Sequence, residues 1–144
     1  MNNSSTNYKR ILAIDYGLKR IGLALSDPLK IFSYAYKTVP NNDEFFDELA
    51  QIISEQNIEK IILGLPLKES GEDALLTQEV KKLKEILEIK FKLGVILFDE
   101  RYSSVIASEH ISQSVLKKSK RKDKNLLDKE AAAIILHDYL NEKK

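Results

Sequence analysis

Apolar and polar positions along the 144 residues change period from one stretch to the next. "ILAI" (11–14) and "IGLAL" (21–25) are short, nearly unbroken apolar runs, the pattern of buried strands, and Gly17 lies between them. The pair predicts a hairpin with that glycine in its turn, which lets the turn leave the sheet edge open. "SYAYKTV" (33–39) alternates aromatic and small side chains, consistent with a third strand closing a meander, and Pro40 ends it. Asn41 and Asn42 then offer helix caps, with Glu44 three residues after Asn41 in capping-box register. Phe45, Phe46, Leu49, Ile52 and Ile53 follow at helical spacing.

"KIILGLP" (60–66) reads as a buried strand stopped by Gly64 and Pro66. Leu75, Leu76, Val80, Leu83, Ile86 and Leu87 mark an amphipathic helix over 73–90, with Gly94 shortly after its end. "VILFDE" (95–100) is another buried strand ending in acids. A third helix begins at Ser103 or Ser104 and runs through Ile111, and "NLLDKEAAAIILHDYL" (125–140) is a last one, with Asn125 as its cap. Three meandering strands, then helix, strand, helix, strand and two helices, predict an α/β fold. Right-handed crossovers place the late strands beside the first, in a five-stranded mixed sheet flanked by helices. Ligand sites in such sheets lie outside the carboxyl ends of the parallel strands.

Composition adds exclusions. With 43% hydrophobic and 31% charged residues, the chain is expected to form a single domain over 1–144, with 1–8 a loose amino-terminal tail. The absence of cysteine removes zinc–thiolate sites, thiol catalysis and disulfides. The polar start lacks the apolar core of a secretory signal, and no apolar run approaches the roughly 20 residues of a membrane span. A cytoplasmic protein without a membrane partner is the expectation. The net charge of +1 hides an asymmetry: "KKSKRKDK" (117–124) carries +5, which leaves −4 for the rest of the chain. Lys117, Lys118, Lys120, Arg121, Lys122 and Lys124 there form either a polyanion contact or a solvated loop.

The acids are the candidate chemistry. Asp15 closes an apolar run, where a carboxylate is costly unless something compensates it. Asp99 and Glu100 end the last strand, and Asp128 lies on the helix that must pack back across the sheet. Parallel strands would bring the first two sites to one edge. Clustered carboxylates call for a cation, and an all-oxygen donor set without cysteine selects Mg²⁺ or Mn²⁺. Two such ions suit phosphodiester hydrolysis. Each acid also has a structural use: Asp15 can shape the turn with Gly17, and Asp99 or Glu100 can pair with Arg101. Asp128 can complement the helix dipole. Adjacent strand residues face opposite ways, so only one of Asp99 and Glu100 is expected to enter a site. His110 and His137 have no acid or serine at a telling spacing.

Four motifs in order, "DYGLKRIGLALSD" (15–27), "GLPL" (64–67), "DERYSS" (99–104) and "DKEAAAIILHDYL" (128–140), resemble the YqgF family. That family is described as candidate pre-16S ribosomal RNA nucleases, and also as candidate Holliday junction resolvases, with a ribonuclease H-like fold. The resemblance spans nearly the whole chain. It implies a metal-dependent nuclease of the hydrolase class whose catalytic and metal-binding acids are Asp15, Glu100 and Asp128, with Mg²⁺ or Mn²⁺ as cofactor. Arg20 and Arg101 match family positions read as phosphate contacts or site supports. The implied partner is structured RNA, a ribosomal RNA precursor cut near its 5′ end, or branched DNA, and the implied assembly a monomer or homodimer. The chain departs from the family at "KESG" (68–71), where an Asn-Met-Asp-Gly-like turn is usual, and at Ser103-Ser104, where Ser-Thr is common. Neither departure touches the three acids.

Two other functions compete. A silent RNA-binding module would keep the fold without turnover, although all three acids remain in place. An Asp-x-Gly hairpin also cradles phosphates in ATPases of the actin and sugar-kinase type, but those need two such domains and this chain has room for one.

Overall fold

A computed structural model describes residues 8–65, 71–99 and 124–142, with the side chains of 71–74, 99 and 124–128 left aside. The elements are β1 (Arg10–Tyr16), β2 (Arg20–Ser26), β3 (Ser33–Pro40), α1 (Phe45–Glu55), β4 (Ile58–Leu65), α2 (Gly71–Phe91), β5 (Gly94–Asp99) and α3 (Lys124–Glu142). The strands form one sheet in the order β3-β2-β1-β4-β5. β1 is antiparallel to β2 and parallel to β4, and β4 is parallel to β5. The expected five-stranded mixed sheet flanked by helices is the observed one. The helix expected over 103–111 and the basic residues before Lys124 lie outside the described residues, and Lys124 itself opens α3.

Alternation along the strands divides the core in two. Leu12, Ile14, Leu23, Ile61 and Leu63 face α1 and α2, where they meet Phe45, Leu49, Ile52, Val80, Leu83 and Leu87. Ile11, Ala13, Ala24 and Ile62 face α3 and meet Ala132, Ala133, Ile135, Leu136, Tyr139 and Leu140. Each large aliphatic side chain so buried contributes about 1.5–3 kcal/mol. The α3 face differs in its small residues, which let the helix lie close over β1, β2 and β3. The buried stripe of α2 is narrower than its sequence suggests: Leu75 and Ile86 remain 51% and 45% exposed.

Helix ends depart from expectation in two places. α1 begins from Glu44, whose backbone is already helical (φ −89°, ψ −1°) and which makes no side-chain cap. Asn42 Oδ1 accepts the Glu44 N–H at 2.9 Å. Asn41 faces elsewhere: its N–H donates to the Lys19 carbonyl at 3.0 Å and its Nδ2 to the Gly17 carbonyl at 2.8 Å. A helix that forgoes a side-chain cap gives up about 1 kcal/mol. At the other ends, left-handed residues stop the helices, Asn57 (φ 57°) after α1 and Lys92 (φ 56°) after α2. The Lys92 N–H reaches the Glu88 carbonyl at 3.0 Å. Gly94, the sequence's candidate for that stop, opens β5 instead.

Candidate active site

The carboxyl ends of β1, β4 and β5 share one edge of the sheet, because the three strands are parallel. Asp15 stands there as the penultimate residue of β1, half-buried and opposite Gly22 of β2. Ile11 and Ala13 belong to the cluster under α3, and strand alternation puts position 15 in their series. The acid therefore lies on the face that α3 covers. Arg20 opens β2 across the turn, half-buried and in register with Pro40.

The turn between them is tightly built. Residues 17–19 connect the strands, and Asn41 holds this short segment at Gly17 and Lys19 from 24 residues away in the case of the side chain. A Cβ on Gly17 would stand 2.5 Å from the Arg20 carbonyl oxygen, and no described glycine has a positive φ. The reason for glycine here is thus the close approach of the Arg20 backbone rather than a left-handed conformation.

The other predicted residues are placed only in part. Asp99 ends β5 with its backbone paired to Leu65. Asp128 is in the first turns of α3 by its backbone, on the same side of the sheet as Asp15, and its position belongs to the helical stripe of the buried Ala132, Ile135, Leu136 and Tyr139. Glu100, Arg101, Lys117, Lys118, Lys120, Arg121 and Lys122 lie outside the described residues, as does the side chain of Lys124. Among the described residues no three of histidine, cysteine, aspartate and glutamate gather into a metal-binding group. His137 is exposed on α3, with Nδ1 3.6 Å from Asp138.

A second acid of the opening motif proves structural. Asp27 Oδ1 accepts the N–H groups of Ile31 and Phe32, both at 2.7 Å, and Oδ2 that of Leu29 at 3.2 Å. Burial disfavours its charge, but the Phe32, Ile31 and Leu29 N–H groups outweigh that and hold its carboxyl below the ordinary value. Behind it, the buried Ser26 hydroxyl accepts the Ile11 N–H at 2.9 Å, and Arg10 donates to the Ser26 carbonyl at 2.9 Å. Ser26-Asp27-Pro28, turn-forming residues directly after an apolar strand, were the available signal for this loop.

Solved resolvase structures share this fold. T. thermophilus RuvC in complex with Holliday junction substrate superposes with a TM-score of 0.61 at 14% identity, covering 94% of this chain and 96% of that one. The yeast mitochondrial Holliday junction resolvase Ydc2 does so with a TM-score of 0.59 at 11% identity, over 92% of this chain and 78% of its own. The fold is therefore that of the ribonuclease H-like resolvases. Residues 9–142 match the profile of the RuvX family, described as Holliday junction resolvase, and the chain belongs to that family. A relative from Maridesulfovibrio salexigens named "Putative pre-16S rRNA nuclease" is 43% identical over 133 residues, 91% of this chain and 97% of its own. One of the same name from Koribacter versatilis is 36% identical over 142 residues, 97% of this chain and 92% of its own. The protein is a nuclease, a hydrolase of phosphodiester bonds.

Proposed function

We propose that the chain is a metal-dependent nuclease that trims pre-16S ribosomal RNA at its 5′ end, with Asp15, Glu100 and Asp128 as its catalytic carboxylates. The observation that carries this reading is the position of Asp15, half-buried at the carboxyl end of the central strand on the face that α3 crosses. Two sequence periods support the other two acids. Ile96 and Phe98 pack with the α3 cluster, and position 100 continues their even series, which favours Glu100 over Asp99. Position 128 lies four residues before the buried Ala132 and seven before Ile135, the spacing of a single helix face.

A carboxylate set with neither thiolate nor imidazole fits a hard divalent cation, Mg²⁺ or Mn²⁺ and two ions in our reading. Ions held there would supply an activated water and a counter-charge for the leaving oxygen. The chain's own residues do the rest. β1 places Asp15 through its pairing with Gly22 of β2 and, one residue earlier, of Ile14 with Leu63 of β4. Arg20 brings a guanidinium to the neighbouring strand end, suited to a phosphate oxygen. Arg101, Lys117, Lys118, Lys120, Arg121, Lys122 and Lys124 would neutralise flanking phosphates, so binding should weaken steeply with salt. No helix among the described residues is long and apolar enough to cross a membrane, and the cytoplasm is the compartment that fits an RNA precursor substrate.

The family description favours a second reading, in which the substrate is a four-way DNA junction. Symmetric resolution would need a two-fold dimer, whereas RNA trimming is open to a monomer. Purified protein offered a 5′-extended 16S precursor and a four-way junction side by side, with Mg²⁺ or Mn²⁺, separates the two. The expected result is RNA cleavage that chelator and Asp15→Asn both abolish. Preferential junction cleavage selects the second reading. Normal cleavage by Asp15→Asn overturns the mechanism, and salt-sensitive RNA binding without cleavage selects the silent binding module.

A further inference from the structure

We infer that Asn41 is a positioning residue of the active site, which sets the stance of the Asp15 carboxylate by clamping the turn that follows it. The inference rests on the reading of Asp15 as a catalytic acid. Asn41 makes two hydrogen bonds to that turn, one from its backbone N–H to Lys19 at 3.0 Å and one from its side-chain amide to Gly17 at 2.8 Å. Gly17 is two residues from Asp15, and Lys19 is next to Arg20. Both ends of the turn are thus tied to one residue outside the hairpin.

Its geometry is unusual for the local sequence. Asn41 stands three residues before Glu44 in the register of a capping box, yet it reaches back to the hairpin and α1 begins without a side-chain cap. A place where local preference is overridden by a distant contact is where a functional constraint is to be sought. The turn itself is also short of slack, since the Gly17 backbone runs close under the Arg20 carbonyl. A donor was needed there, because the groups to be held are carbonyls. Asparagine offers one as a neutral amide, whereas an ionised aspartate at 41 would have no donor for the Gly17 carbonyl.

The test is cleavage kinetics and amide exchange on the full chain with Asn41→Ala and Asn41→Ser, beside Asp43→Ala as a neighbouring exposed control. Misplacement of a reacting group by ~1 Å costs up to about 10²-fold in rate, so kcat should fall by about tenfold to 10²-fold in Asn41→Ala, with KM changed by less than about twofold. Amide exchange should quicken at position 41, whose N–H is bound to the Lys19 carbonyl, and stay unchanged at Leu63, and the Mg²⁺ concentration for half-maximal rate should rise. The inference is overturned by a kcat within about twofold of wild type, by a loss that only follows the folded fraction, or by unfolding of both variants, which would make Asn41 a residue of the scaffold. Faster exchange with unchanged cleavage also overturns it. If Asp15→Asn cleaves normally, it is the catalytic reading of Asp15 that has failed, and the Asn41 kinetics still report whether the clamp matters to rate.

Discussion

Two aspartates stand before and after β2 and hold opposite stations. Asp27, after β2, has its carboxylate bound by three N–H groups within five residues of itself, closing the β2–β3 loop. Asp15, on β1, is followed by a turn that Asn41 ties down from a distant segment. One loop is built around its own acid; the other is held by a neutral amide brought in from outside. Asp27, wrapped in backbone donors, is a structural part, whereas the role proposed for Asp15 would be served by having Asn41 supply the hydrogen bonds of the turn that follows it.

Substitution sharpens that contrast. Asp15→Asn should lower cleavage by about 10³-fold, the several kcal/mol a metal-assisted site supplies, whereas Asp27→Asn should leave cleavage within about twofold, both read in a single-turnover assay. Equal losses at both positions would erase the distinction. Ile14→Ala, which empties a fully buried site beside Asp15, should destabilise the fold by about 2–5 kcal/mol in urea titration. Asp27→Ala should cost about 1 kcal/mol, modest because the loop is partly solvated.

The Asp27 loop should also respond to acid. Its folded carboxyl titrates below the ordinary 3.8, so its contribution is complete above that value and is lost as pH falls through the lower, folded value. Amide exchange at Leu29, Ile31 and Phe32, followed at acid pH, should show that loss in the wild type and none in Asp27→Ala. The smallest effect is expected at Lys37, whose ammonium lies 2.8 Å from Glu48 with the two side chains 41% and 36% exposed. The Glu48 hydrogen bond raises its titration above 10.5, so the pair contributes below that value and is lost as pH rises through the raised one. Lys37→Ala should shift stability by less than about 1 kcal/mol, and less still in high salt.

Much of the scaffold is legible in the sequence because burial writes itself as period. The runs at 11–14, 21–25 and 60–65 are strands packed on both faces, and Phe45, Leu49 and Ile52 mark the inner stripe of α1. Asp15 could be singled out for the same reason, as a charge at the end of such a run. What escaped depends on long-range contacts. Asn41 reads as a cap because local spacing says so, and only the folded hairpin, with two carbonyls within reach, offers it a different partner. Gly17 is legible as a turn residue, but the Arg20 oxygen that excludes a side chain there comes near only once β2 has turned back. Lys92 gives no sign in the sequence that it, and not Gly94, adopts the left-handed conformation ending α2.

The location of Asp15 on the middle strand has a consequence for how the enzyme can fail. β1 has a hydrogen-bonded partner on either side and apolar layers above and below. A segment so enclosed exchanges its amides only through global opening, not through the partial openings available to edges and loops. Loss of activity on heating or in denaturant should accordingly track the loss of the whole domain, with the strand that bears the acid among the last parts of the molecule to let go.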